Sequence, residues 1–185
     1  MSTKQMEKSV IEIQIPDNVK VNLKGSILHI QGPLGKVYKN FKKIPVIIEI
    51  SDNKILLKQT GERKKYYSIL NTSKSIIQTL CSGVVDGFTI KMKIVYSHFP
   101  ITVKVEGKKI LIENFQGERA PGVSMIRGDT KVDVKGDDVI ITGHVLTDVS
   151  QTAANIQLKS KVKNKDHRVF LDGIYRYFKS EQIEK

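Results

Sequence analysis

The sequence predicts an α+β fold built from two tandem copies of one strand-rich unit, each copy with a single long helix. Three observations predict it. Apolar and polar residues alternate over much of the chain, as in VIEIQI from Val10 to Ile15, which is the two-residue period of a half-buried strand. The period becomes helical in two stretches only, about 62–82 and about 150–161. The order of these signals in the first half of the chain recurs in the second.

In chain order, the first strand ends at Pro16, and VKVNL (19–23) and ILHI (27–30) flank Lys24-Gly25-Ser26, a hairpin turn. Gly32-Pro33-Leu34-Gly35 is a turn set and no phosphate loop, since no Lys-Ser or Lys-Thr follows at the required spacing. Strands are expected at 36–41, 46–50 and 54–59. In the first helix Ile69, Ile76, Ile77 and Leu80 recur at helical spacing, and Gly83 is the expected stop. Asp86-Gly87 leads into the strand FTIKMKIVY. The second helix follows Thr147-Asp148, either of which can cap it, and carries Ala153 and Ala154 where a neighbour can pack closely. Residues 1–8 are polar and expected to be loose.

The repeat is concrete. VNLKGSILHIQGPLGK (21–36) overlies VKVEGKKILIENFQGE (103–118) without a gap, pairing Val21 with Val103, Gly25 with Gly107, Ile30 with Ile112 and Gly35 with Gly117. KILLK (54–58) resembles DVIIT (138–142), and Val85-Asp86-Gly87-Phe88 resembles Leu171-Asp172-Gly173-Ile174. The spacing drifts only from 82 to 86 residues. The boundary is expected near Ser97–Pro100, giving domains 1–97 and 98–185.

Composition narrows the function. Among 185 residues, 31 Lys and Arg stand against 19 Asp and Glu, a net charge of +12, so the surface field attracts polyanions. Nucleic acid is the leading partner. A membrane surface is the rival, but no helix pairs a cationic face with bulky exposed apolar residues. No run approaches the roughly 20 apolar residues of a membrane span, and the start lacks the apolar core of a signal peptide, so the cytosol or nucleus is expected. The single Cys81 lies in the apolar pattern IIQTLCSGVV and reads as a buried thiol rather than a nucleophile.

Two basic elements in the second copy are candidates for a phosphate-binding patch. One is the run Lys159, Lys161, Lys163, Lys165 and Arg168 at the end of the second helix, relieved only by Asp166. The other is ENFQGERAPGVSMIRG (113–128), a loop-prone segment whose amides, with Arg119 and Arg127, can approach a backbone closely. Read alone, the latter is equally an ordinary solvated turn. Glu62-Arg63-Lys64-Lys65 at the start of the first helix is read as a solvated face.

Catalysis finds no footing. His29, His98, His144 and His167 are scattered, with no His-Cys spacing that would hold zinc. No nucleophile elbow is present, and Asp137-Asp138 reads as a hairpin turn. Aromatics make up 6% of the chain and fall mostly at core-like positions, so few are expected on an exposed sheet to stack on bases.

VKNKDHRVFLDGIY, preceded by SQTAANIQ and by YSHFPITVKVEGKKILIENFQGER, resembles the eukaryotic and archaeal branch of the universal large-subunit ribosomal protein family called L-six in bacteria and L-nine in eukaryotes. The resemblance covers nearly the whole chain. Val162, Lys165, Arg168, Phe170, Asp172, Gly173, Ile174, Tyr175 and Lys179 match its C-terminal signature in order and spacing. Leu158 and Arg176 depart from it, standing where the family has Gln and an aliphatic residue. The resemblance implies two duplicated domains, each a small, mostly antiparallel or mixed sheet with one helix packed on a face. It implies a non-enzymatic constituent of the large cytosolic ribosomal subunit, with assembly in the nucleolus if the source is eukaryotic. The second domain would bind large-subunit ribosomal RNA near the sarcin-ricin loop and the factor-binding region. Arg119, Arg127, Lys159, Lys161, Lys163, Lys165 and Arg168 would be the contacts, with Phe170 and Tyr175 anchoring the core. Neighbouring ribosomal proteins would be the other partners, without cofactor, metal, membrane, small-molecule substrate or homo-oligomer.

Overall fold

The computed structural model describes residues 10–51, 53–166 and 168–183. The start expected to be loose over 1–8, and His167, lie outside the described residues. The chain forms two compact units, Met1–Val85 and Asp86–Lys185.

The first unit contains β1 (Val10–Gln14), β2 (Lys20–Lys24), β3 (Ile27–Gly32), β4 (Gly35–Asn40), β5 (Val46–Ser51), β6 (Lys54–Gln59) and α1 (Lys64–Val85). They make two three-stranded antiparallel sheets, β1-β6-β5 and β2-β3-β4, and α1 packs on both. Leu70, Ser73, Ile77, Cys81 and Val84 are buried along α1 at steps of three and four, one helical face. Of the residues expected to form that face, Ile69, Ile76 and Leu80 are only half-buried. Gly83 is not the stop. It is buried within α1, and the chain turns at Gly87, where φ is 72°. Gly32 carries no Cβ for good reason, since one would stand 2.7 Å from the carbonyl oxygen of Val84, which accepts a hydrogen bond from the Leu34 amide at 3.0 Å.

The second unit contains β7 (Phe88–Val95), β8 (Thr102–Glu106), β9 (Lys109–Glu113), a 3-10 turn (Phe115–Gly117), β10 (Gly122–Met125), β11 (Lys131–Lys135), β12 (Asp138–Gly143), α2 (Leu146–Lys159) and β13 (Gly173–Ser180). Its sheets are β10-β9-β8 and β11-β12-β7-β13, antiparallel throughout. Ile90, Met92, Ile110, Ile112, Val139, Ile141, Val149, Ile156 and Ile174 form its core.

The expected α+β fold of two tandem units with one helix each is what the chain forms, and the strands of each unit are divided between two small antiparallel sheets packed on its helix. The boundary moves. β7 was expected to close the first domain at residue 97, yet it pairs with β12 and β13 in the second unit. In register it is the counterpart of β1, since β1 pairs with β6 as β7 pairs with β12. Similar Asp-Gly approaches to β7 and β13 concealed this, because the two strands are neighbours in one sheet. The repeat is therefore β1 to α1 and β7 to α2, with β13 added.

Burial raises the Cys81 thiol to about 11, above its usual 9.0. Between those values the unfolded chain loses a proton that the folded chain keeps, so stability should fall as pH rises through that window. A chromogenic disulfide reagent at pH 8 is expected to modify Cys81 only after denaturation, and rapid reaction of the native protein would contradict its burial.

Candidate nucleic-acid interface

The two basic elements are joined through a polar stripe on α2. Thr152, Asn155 and Lys159 recur at steps of three and four, so they share one helix face. The Arg127 amide donates to Thr152 Oγ1 at 3.0 Å, and Asn155 Nδ2 donates to the Met125 carbonyl at 3.2 Å. A Cβ on Gly122 would meet the Lys159 stem, with Cε at 3.2 Å. Thus β10 runs antiparallel along α2. Its start lies beside the basic helix end, and Arg127 lies beside Thr152, about seven residues or ~10 Å up the axis.

The segment expected to be a loop therefore contains a strand. Burial of Ser124 with exposure of Val123 and Met125 inverts the usual alternation, which hid β10 among glycines and Pro121. Part of its backbone is already engaged, because β10 pairs with β9 along one edge and the Arg127 amide bonds Thr152. The Arg119 and Arg127 side chains are exposed.

At its start α2 has neither expected cap. Val145 is the N-cap and makes no side-chain cap hydrogen bond, with Thr147 and Asp148 already inside the helix. Asp148 faces the helix dipole favourably from the first turn and lies against Gly128, where an added Cβ would collide with its carboxylate. Ala153 is buried as expected for a close neighbour, whereas Ala154 is exposed.

The helix ends at a buried junction. Ser160 Oγ donates to the Ile156 carbonyl at 3.1 Å and accepts the Ile174 amide at 3.1 Å, tying the helix end to β13. Val162 and Asp172 are buried at the two ends of the intervening segment, and the Asp172 carboxylate accepts the Ser97 amide. His98 Nδ1 lies 3.8 Å from the other Asp172 oxygen.

The five cations of this segment are not equivalent. Lys159, Lys161 and Lys163 are exposed and form no ion pair among the described residues. Lys165 Nζ sits 4.7 Å over the half-buried Phe170 ring. Arg168 bonds Asp166 through Nε (3.1 Å) and Nη2 (2.9 Å), and that hydrogen bonding raises its pKa further. Phe170 packs against the core, but Tyr175 does not anchor it. Its ring is 42% exposed and its hydroxyl lies 3.2 Å from the Leu171 carbonyl.

The expectation about aromatics also fails. Seven of the twelve Phe and Tyr residues are exposed, including Tyr38, Tyr96, Tyr175, Tyr177 and Phe178. Among the described residues no three His, Cys, Asp or Glu converge as metal ligands, and no helix is long and apolar enough to cross a membrane.

A basic, repeated α+β chain with exposed cations gathered at one helix end is of the class of small proteins whose surface attracts polyanions. The family model described as Ribosomal protein L6 matches residues 99–173. Large ribosomal subunit protein uL6 of Methanosarcina mazei is 42% identical over 163 residues, covering 88% of this chain and 93% of that one. The protein of the same name from Aeropyrum pernix is 41% identical, covering 91% and 93%, and that from Sulfurisphaera tokodaii 43%, covering 94% and 96%. The chain belongs to the uL6 family, also described as ribosomal protein L6.

Replacing Ser160 with Ala leaves the buried Ile174 amide without its partner. The expected cost is about 1–3 kcal/mol in denaturant unfolding, and an unchanged midpoint would show that the junction does not depend on this hydroxyl.

Proposed function

We propose that the protein is a structural constituent of the large ribosomal subunit that binds large-subunit ribosomal RNA mainly through its second unit, near the sarcin-ricin loop and factor-binding region. The observation that carries this reading is the set of exposed lysines held at a rigid helix end. Lys159, Lys161 and Lys163 lie in and just beyond the last turn of α2, in a segment fixed by Ser160, Val162 and Asp172. Such an array neutralises phosphates of a folded RNA and recognises shape rather than base sequence. Arg119, exposed ahead of β10, and Arg127, exposed after it, add charge in this reading. Lys165 and Arg168 contribute less, because a ring and a carboxylate already engage them.

Neighbouring large-subunit proteins are the other partners in this reading. In this reading the protein works in the cytoplasm within the ribosome and not as a homo-oligomer, after nucleolar assembly if the source is eukaryotic. Lysate sedimentation at low and high salt tests the assignment. Co-migration with large subunits that survives high salt is expected, and recovery only in light fractions would overturn it. Lys161→Glu with Lys163→Glu should weaken incorporation markedly with the isolated fold intact. Arg168→Glu alone should weaken it less, and the reverse order would remove Lys161 and Lys163 as the principal anchor.

A further inference from the structure

The sheet β11-β12-β7-β13 has one face in the core and one outside. Ile90, Met92, Ile94, Val139, Ile141 and Ile174 point inward. The cross-strand pairs Tyr175 with Lys93, Lys93 with Asp138, and Asp138 with Lys135 therefore lie on the outer face. At the edge strand β13 the register slips between Arg176 and Phe178. By strict alternation from the buried Ile174, Phe178 would share the core face. The slip instead pairs it with Lys91, on the outer face. The chain thus uses a bulge to bring a phenyl ring out of the core side at an edge.

The result is an organised surface. Tyr177, at the bulge, is 57% exposed and donates its hydroxyl to Asp138 Oδ1 at 3.2 Å, and Lys93 Nζ lies 3.4 Å from the same oxygen. Lys91 Nζ stands 5.1 Å from the Phe178 ring centroid. Tyr175 lies over Gly173, where a Cβ would meet its ring at 2.9 Å, so the glycine lets the ring lie along the sheet. Counting outward positions on β7, β11 and β12, Lys91, Lys93, Lys131 and Lys135 outweigh Asp133 and Asp138.

We propose that this face is a second RNA-binding surface, chemically distinct from the helix-end patch, which takes unpaired bases on Tyr177 and Phe178 with the flanking phosphates on the lysines. Aromatic rings interleaved with cations suit a single strand, whose bases expose their π-faces. A duplex offers such a surface only its backbone. A protein partner fits less well, since lysine is depleted in the buried centre of protein interfaces, and here Lys91 and Lys93 stand beside the aromatic rings. The inference needs no particular position in the ribosome and does not depend on the Lys159–Lys163 array.

The test uses the full chain with a labelled single-stranded oligoribonucleotide of about eight nucleotides, a fully paired, blunt-ended duplex of the same composition, and inorganic polyphosphate. Tyr177→Ala with Phe178→Ala should weaken single-strand binding roughly 30-fold, two bases' worth of stacking, and leave duplex and polyphosphate binding unchanged. Tyr177→Phe, which removes only the hydroxyl, should bind within about twofold of the parent. Tyr177→Leu with Phe178→Leu keeps apolar bulk on the edge strand without a π-face and should show the same loss as the Ala pair. Undiminished single-strand binding by the Leu pair overturns the proposal, as does an equal loss toward polyphosphate. Lys161→Glu with Lys163→Glu should lower duplex binding and preserve the effect of the aromatic substitutions. Failure of the helix-end assignment would thus be seen separately.

Discussion

The second unit depends on the junction at Ser160. A helix ending in a run of lysines has last-turn carbonyls that need donors and adjacent charges that repel one another. The Ser160 hydroxyl donates to the Ile156 carbonyl and accepts the first inward amide of β13, so one buried side chain ends α2 and positions the returning strand. With Val162 and Asp172 buried to either side, the segment between them is held at both ends and its cations are held out in solvent. The C-terminal end of the helix dipole favours positive charge there, which offsets part of their mutual repulsion.

Rigidity at this place has a consequence for binding. Lysine loses considerable side-chain entropy when immobilised, so a cation array contributes most when its backbone is already fixed and only the side chains must be ordered. The polar stripe of Thr152, Asn155 and Lys159 extends the frame, because it fastens β10 to α2 and holds the Arg127 backbone against the helix. Asp166 and Phe170 act differently. They hold Arg168 and Lys165 in place at the cost of part of their availability to a phosphate.

Much of this was legible in the sequence, for physical reasons that also explain what was not. Duplication, the two helices and the hairpins at Gly25 and Gly107 follow from periodicity and turn chemistry, both local properties; each of these glycines has φ near +60°. The owner of β7 was illegible, since strand pairing is non-local and an Asp-Gly pair stands at the start of both β7 and β13. β10 was missed because Ser124, not its apolar neighbours, faces inward. All five cations of the run were visible, but their inequality arises from Asp166 and Phe170 folding back on Arg168 and Lys165. The exposed aromatics were misjudged for a related reason. Composition gives the number of rings, and only the register slip in β13 decides which face Phe178 occupies.

The two surfaces of the second unit divide recognition along a physical line. In the proposed binding the helix end meets phosphate charge, so that contact weakens steeply with salt and is indifferent to base identity. On the outer sheet face the rings exclude water and meet base planes, an interaction that salt screens little and that a paired base cannot enter. A folded RNA presents both features together wherever a duplex opens into a loop. A unit with one face for each can bind such a junction more selectively than charge alone would allow, because only there are both satisfied at once.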